Sequence, residues 1–352
     1  MVSAVGNRGG EPAGRQAGRR GGLFAALDLG TNNCRLLVAR PAGDSLHVVD
    51  AFSRLVRLGE GLALTGSLSC SAMDRTIAAL RVCAAKMRRH WLTDYRVVAT
   101  AACRQAANGA SFLTRVERET GLSFELITPG EEALLALAGC AALLERTIPH
   151  AIVFDIGGGS TEVMWLEVPP AGPPAVRGWV SLPLGVVSLA DQFGPATATL
   201  DGYQGMRAEI DAMLAPFEAE CGIADAVAEG KVQMLGTSGT VTTLTGIHLD
   251  LPRYDRRRVD GAEIRVADLA AVTHRVMAMS DSERASHPCI GRARSDLVLA
   301  GCAILEAILA RWPVERVRIA DRGVREGILL GLMGVAAPVF AEPQLVPAVA
   351  AQ

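Results

Sequence analysis

A chain of 352 residues is longer than one average domain and favours two. It is 50% hydrophobic, enough for a sizeable core, and with aromatics at only 4% that core falls to Ala, Leu, Val and Gly. The formal net charge of −2 excludes a global basic field for bulk nucleic-acid binding, so a polyanionic ligand needs a local basic cleft.

In chain order, residues 1–22 are rich in Gly, Arg and Ala, contain no apolar h-region and read as a disordered tail. Arg19-Arg20 resembles a twin-arginine signal only superficially, because Asp28 interrupts the apolar stretch that follows. Strands over 23–29, 34–40 and 45–52, joined by short turns, predict an antiparallel meander. A helix at about 71–90, a strand at 95–101, a helix at 110–120 and a strand at 123–127 follow. Strands that arrive through helical crossovers should be parallel, which gives an α/β layer architecture. Pro129 to about Leu144 reads as a helix: Pro129 suits its first turn, and Glu131 and Glu132 suit its positive end. The rest of that helix is apolar on nearly all sides, so it should be buried where two lobes meet.

The second half repeats the order, with strands at 151–156, 161–168 and 176–182 and a Pro-rich surface turn after Val168. Helices at about 186–193 and 201–220 precede a strand at 231–236. Gly236-Thr237-Ser238-Gly239-Thr240 then opens another helix. A long helix at 294–311, a strand at 315–320 and a helix at 322–334 close the fold, and a loose Pro/Ala-rich tail is expected from about Ala336. The 8 cysteines form no Cys-x-x-Cys pair and read as buried, reduced thiols of a cytoplasmic protein. No apolar run reaches the ~18 residues of a transmembrane helix, so no membrane partner is expected.

Two segments share one pattern. Phe24 to Val38 carries Asp28-Leu-Gly30-Thr31-Asn32-Asn33-Cys-Arg35, and Ile152 to Trp165 carries Asp155-Ile-Gly157-Gly158-Gly159-Ser160-Thr-Glu162. Each is an apolar strand ending in Asp, a Gly-rich turn with small polar residues, and a second strand. Gly lets backbone N–H groups approach an anion, and hydroxyls complete a phosphate cradle. Asp28 and Asp155, at buried strand ends, can hold Mg²⁺ or can simply cap their turns. Glu162 can reach back as a second metal ligand or stand exposed on its strand. Gly236, Thr237 and Ser238 at a helix start suit an anion, though ordinary N-capping explains them too. Glu131 and Glu132 are about 100° apart on a helix, so at most one faces a cleft. Arg35 and Arg104, near strand ends, can neutralise a phosphate bidentately. Arg253 with Arg256-Arg257-Arg258 is the densest basic cluster of the second half, or a solvated loop.

From about Phe24 to Leu332 these residues resemble one family. The matching pieces are Asp28-Leu-Gly-Thr-Asn-Asn, Arg57-Leu-Gly-Glu-Gly-Leu, Thr100-Ala-Ala-Cys-Arg104, Ile127-Thr-Pro-Gly-Glu131-Glu132-Ala, Asp155-Ile-Gly-Gly-Gly-Ser-Thr-Glu162, Ser181-Leu-Pro-Leu-Gly, Gly236-Thr-Ser-Gly-Thr, Arg294-Ser-Asp-Leu-Val and Val324-Arg325-Glu326-Gly327. In that order they resemble the exopolyphosphatase / guanosine pentaphosphate phosphohydrolase family, within the actin–hexokinase–chaperone superfamily.

The resemblance implies an α/β protein with two ribonuclease H-like (actin-like ATPase) domains facing an interdomain cleft. Domain I would span 23–128 plus about 322–335 and domain II 129–321, with a flexible tail at 336–352. It implies Mg²⁺-dependent hydrolysis of terminal phosphates, with Mn²⁺ as the substitute cation. Glu132 becomes the general base, Arg104 a phosphate-neutralising partner, and Asp155, Glu162 and Asp28 the metal acids. Gly30–Asn33, Gly157–Ser160 and Gly236–Ser238 become phosphate-binding residues. The implied substrate is inorganic polyphosphate, or guanosine pentaphosphate by the same chemistry, in a cytoplasmic homodimer that binds no DNA. A kinase on the same fold and a non-catalytic guanosine polyphosphate-binding regulator are the rival readings. Two departures stand out: Leu134 replaces an Arg common after Glu-Glu-Ala, and the extra helical C-terminal domains of long members are not expected here.

Overall fold

The computed structural model describes residues 21–43 and 45–334. The tails expected at 1–22 and 336–352 lie almost wholly outside the described residues.

Two sheets organise the chain. The first contains β1 (Leu23–Leu29), β2 (Asn33–Ala42), β3 (Ser45–Leu55), β4 (Leu92–Ala99) and β5 (Glu125–Leu126), in the order β3-β2-β1-β4-β5. The first three strands pair antiparallel, and β4 and β5 join parallel, as the short turns and helical crossovers predict. The second contains β6 (His150–Ile156), β7 (Thr161–Glu167), β8 (Ala175–Leu182), β9 (Val232–Thr237), β10 (Glu263–Arg265) and β11 (Arg316–Ala320). Its order is β10-β11-β9-β6-β7-β8. Without the antiparallel edge strand β10, this is the first sheet's order over again. The chain is thus α/β with two ribonuclease H-like sheets.

The first half adds helices α1 (Leu62–Thr65), α2 (Cys70–Arg89), α3 (Ala101–Gln105), α4 (Gly109–Thr120) and α5 (Pro129–Cys140). The second adds α6 (Val186–Phe193), α7 (Leu200–Cys221), α8 (Ile223–Ala228), α9 (Gly239–His248), α10 (Arg256–Val259), α11 (Val266–Ala278), α12 (Asp281–Ser286), α13 (Val298–Arg311) and α14 (Val324–Met333). Leu27, Leu36, Leu80, Val97 and Phe112 anchor one core under the first sheet. Phe154, Val163, Phe217, Ile304 and Trp312 anchor a larger one under the second.

The helices α5 and α14 form the layer between the sheets. Ala133, Leu137 and Cys140 of α5 pack on Val153, Met164 and Leu235 of the second sheet. Leu135 of the same helix turns the other way, joining Ile328 and Leu329 of α14 against Phe24, Ala26 and Leu37. An all-round apolar helix is therefore buried on both sides, as its composition demands. The crossing is closer than side chains permit: a Cβ on Gly327 would sit 2.0 Å from the Leu135 carbonyl oxygen.

Several elements differ from expectation. The helix begun at Pro129 ends at Cys140 and tightens into a 3₁₀ turn over Ala141–Leu143. The helix expected from 294 starts at Val298, because Gly291 (φ +72°) breaks the chain into turns through Leu297. The strand at 123–127 pairs over only Glu125 and Leu126. Helix α11 was not anticipated, although Leu269, Val272, Thr273 and Val276 mark its buried stripe at helical spacing. Among the described residues, no helix is long and apolar enough to cross a membrane.

Candidate active site

The two hairpins of the repeat have the same geometry. Gly30 N–H donates to the Asn33 carbonyl at 2.9 Å, and Gly157 N–H donates to the Ser160 carbonyl at 3.0 Å. Strand register sets Asp28 opposite Arg35 and Asp155 opposite Glu162. Equivalent positions thus carry a cation in one lobe and a second acid in the other. The turns also touch: a Cβ on Gly158 would lie 3.0 Å from Thr31 Cβ, and one on Gly159 2.7 Å from Thr31 Oγ1. Glycine is needed there for close approach between lobes, since neither residue has positive φ.

A third turn, between β9 and α9, comes in beside them. Thr237 Oγ1 donates to the Arg322 carbonyl at 2.5 Å, and Ser238 holds φ +81°. That backbone region is all but reserved for glycine, and strain of this kind gathers at functional sites. The segment after β11, Asp321 to Glu326, makes the fourth wall. Together these elements enclose a cleft of about 750 Å³ including its open mouth. Asp28, Gly30–Asn33, Glu132, Asp155, Gly157–Ser160, Thr237 and Ser238 all line it.

Glu132 enters from the first turn of α5. Thr128 caps that helix by accepting from Glu131 N–H at 3.2 Å, and Pro129 fills the first turn. The two acids then diverge as helical geometry requires. Glu131 pairs with Arg96, while Glu132 accepts from Arg104 Nη1 at 2.9 Å and faces the cleft. Arg104 also donates to the Ile127 carbonyl at 2.8 Å, so it holds Glu132 from behind and does not line the cleft.

Two other expected residues stand back from the cleft. Gly236 lies under the Phe154 ring, where a Cβ would sit 2.5 Å from that ring. Glu162 is buried and accepts from Ser181 Oγ at 2.9 Å. The cleft's cations are Arg35, Arg322 and Arg325. The last two, with the buried Glu326, carry no local sequence signal of a place in the cleft, since Val324-Arg325-Glu326-Gly327 reads only as the start of a helix that matches the family pattern. Arg322 pairs with Asp260 at 2.8 Å. Among the described residues Arg35 makes no ion pair.

Burial dominates the electrostatics. It pushes Glu132 up to about 7, against Arg104, with Asp28 and Asp155 adding to the rise. Burial likewise pushes Asp155 to about 6, opposed by the Ser238 hydroxyl and Arg35. Asp28 is raised by burial against Arg35 and Arg325. Glu162 is raised well above the carboxylate range by burial, then by Glu132 and Asp155. Arg325 is lowered by burial. Three acids held above their ordinary range in the cleft, with a fourth, Glu162, behind it, form a site short of positive charge.

The family profile described as the Ppx/GppA phosphatase family matches residues 37–336. The chain belongs to that family. It is a hydrolase of phosphoric anhydride bonds. The match begins just past the first turn, so Asp28 to Arg35 fall outside the matched interval. Exopolyphosphatase 2 of Mycobacterium tuberculosis is 29% identical, over 88% of this chain and 98% of that protein. The Ppx/GppA phosphatase of Aquifex aeolicus, in its type II variant, is 27% identical with a TM-score of 0.66, covering 88% of this chain and 99% of that one. An exopolyphosphatase from Cytophaga hutchinsonii has a TM-score of 0.79 at 22% identity, over 90% and 99% of the two chains, and shows the shared fold.

In this family member, the donor set suits a hard divalent cation. Glu162 is a buried carboxylate with no cationic partner among the described residues, and Asp155 faces it across the strand pair. Such a group calls for a compensating positive charge. Among the described residues no three potential ligands converge into a cage. Asp155 and Glu162 are a carboxylate pair of the kind that would suit Mg²⁺, which takes one or two carboxylates and completes its shell with water and phosphate oxygens.

Proposed function

We propose that this phosphatase is an exopolyphosphatase, releasing the terminal phosphate of inorganic polyphosphate. The observation that carries the reading is Glu132, a cleft acid that belongs to neither phosphate hairpin, enters from the first turn of α5 and is held by Arg104 from behind. The terminal phosphate lies between the turns at Gly30–Asn33 and Gly157–Ser160, within reach of their backbone N–H groups. Arg35 and Arg325 offset its charge. Asp155 and Glu162 would hold Mg²⁺, which supplies charge neutralisation on the phosphate oxygens when bound.

Glu132 accepts a proton from the attacking water. The water oxygen bonds to the terminal phosphorus as the bridging P–O bond breaks, and the shortened chain leaves. A loose phosphoryl transition state needs positioning and charge balance more than covalent help. Arg104 fixes the base's direction without quenching it, since burial keeps Glu132 at about 7 despite the pair.

Phosphate release measured with Mg²⁺ on long polyphosphate, tripolyphosphate and guanosine pentaphosphate tests the substrate. Turnover of the polyphosphates is expected. Turnover of guanosine pentaphosphate alone overturns the substrate choice, and tight nucleotide binding without turnover of any substrate overturns the enzyme reading.

A further inference from the structure

The basic cluster at Arg253–Arg258 has no part in the cleft chemistry, yet its surroundings give it one. We infer that it is a landing strip for the trailing phosphates of a long polyphosphate chain whose end occupies the cleft. This rests on the exopolyphosphatase reading.

Charge bookkeeping favours the strip. Residues 250–260 hold four arginines and three aspartates. Each aspartate is already engaged. Asp250 pairs with Arg275 at 3.7 Å, Asp255 accepts from Arg257 N–H at 2.9 Å, and Asp260 pairs with Arg322 at 2.8 Å. Of the arginines only Arg256 is committed, to Glu326 at 2.9 Å and to the Asp321 carbonyl at 2.6 Å. Arg253, Arg257 and Arg258 are exposed, and among the described residues they make no ion pair.

Position gives the strip its direction. Tyr254 Oη donates to Asp321 Oδ2 at 2.6 Å, and Arg256 and Asp260 grip the same wall at Asp321, Arg322 and Glu326. Those three wall residues line the cleft. The segment is therefore fastened to a wall of the cleft, with the guanidinium groups of Arg253, Arg257 and Arg258 exposed. Guanidinium forks suit phosphate oxygens. Each exposed contact is weak and salt-sensitive, but a polyanion that engages all three at once adds them. A triphosphate ends inside the cleft and never reaches them.

The test compares R253Q/R257Q/R258Q with wild type in steady-state phosphate release, after thermal melting shows both folded. At low salt the KM for long-chain polyphosphate should rise about five- to tenfold in the variant, and at about 0.5 M salt the difference should vanish. The KM for tripolyphosphate should stay within about twofold. An unchanged long-chain KM, or an equal rise for both substrates, overturns the strip. Wild-type inactivity on both polyphosphates instead overturns the functional reading beneath it.

Discussion

Glu132 owes its chemistry to burial, which holds its proton at about 7 where a free side chain would lose it near 4.5. A carboxyl with a raised folded-state value binds a proton that the unfolded chain has released. Its cost to the metal-free fold therefore grows as pH rises from about 4.5 to about 7, and is complete above that. Glu132→Gln removes this cost. In melts without divalent metal, the variant should match wild type at pH 5 and exceed it at pH 8, by at most about 3 kcal/mol. Ser238 makes a similar trade between stability and function. Ser238→Gly should stabilise the protein by about 1 kcal/mol in denaturant titration, because glycine tolerates φ +81°. Phosphate release by that variant should slow, because the hydroxyl opposing the rise of Asp155 is lost. The residues within one hairpin were legible in the sequence, since Asp28 and Arg35, or Asp155 and Glu162, meet through local strand register. Arg322 and Arg325 were not, because only the tertiary return of the chain after β11 carries them to the cleft.

At the scale of elements, α5 crossing α14 holds the site's geometry. Glu132, the proposed base, sits at one end of α5, and α14 starts at the cleft wall. Gly327→Ala forces a Cβ to 2.0 Å from a backbone oxygen, which cannot swing aside. Denaturant titration should show a loss of about 3 kcal/mol. Gly331→Ala, on the same helix with open space at its Cβ, should be neutral or stabilising by up to about 1 kcal/mol. The close crossing was not readable from the sequence, which shows only that α5 is apolar all round. Strand order was readable, because short turns make hairpins and helical spacers make parallel crossovers. The loss of helix over 294–297 was not, because Arg294 to Leu297 read as helix until Gly291 takes up its left-handed turn.

At the scale of the whole molecule, the lobes meet on both sides of the cleft. The helix crossing joins them below. Above, Arg57 Nη2 reaches Asp296 at 2.5 Å and the Ala293 carbonyl at 2.9 Å, and Gly61 N–H donates to Asp191 at 2.7 Å. Arg57 N–H and Gly59 N–H in turn donate to the carbonyls of Asn32 and Thr31, so this upper contact is tied to the Gly30–Asn33 turn. With Asp28, Glu132 and Asp155 raised in the cleft and Glu162 raised behind it, the proposed mechanism would make a divalent cation part of the site's charge balance. Chelation should abolish phosphate release, and Mg²⁺ should restore it and raise the melting temperature more at pH 8 than at pH 5, because pH 8 lies above the values of about 7 for Glu132 and about 6 for Asp155.

The most direct test is single-turnover phosphate release from polyphosphate by Glu132→Gln with Mg²⁺, beside a binding measurement and a melt. A carboxylate acting as general base predicts a fall of about 10²–10⁴-fold, with folding and substrate affinity retained. Wild-type turnover by the folded variant would contradict the role of Glu132 and the hydrolytic mechanism built on it.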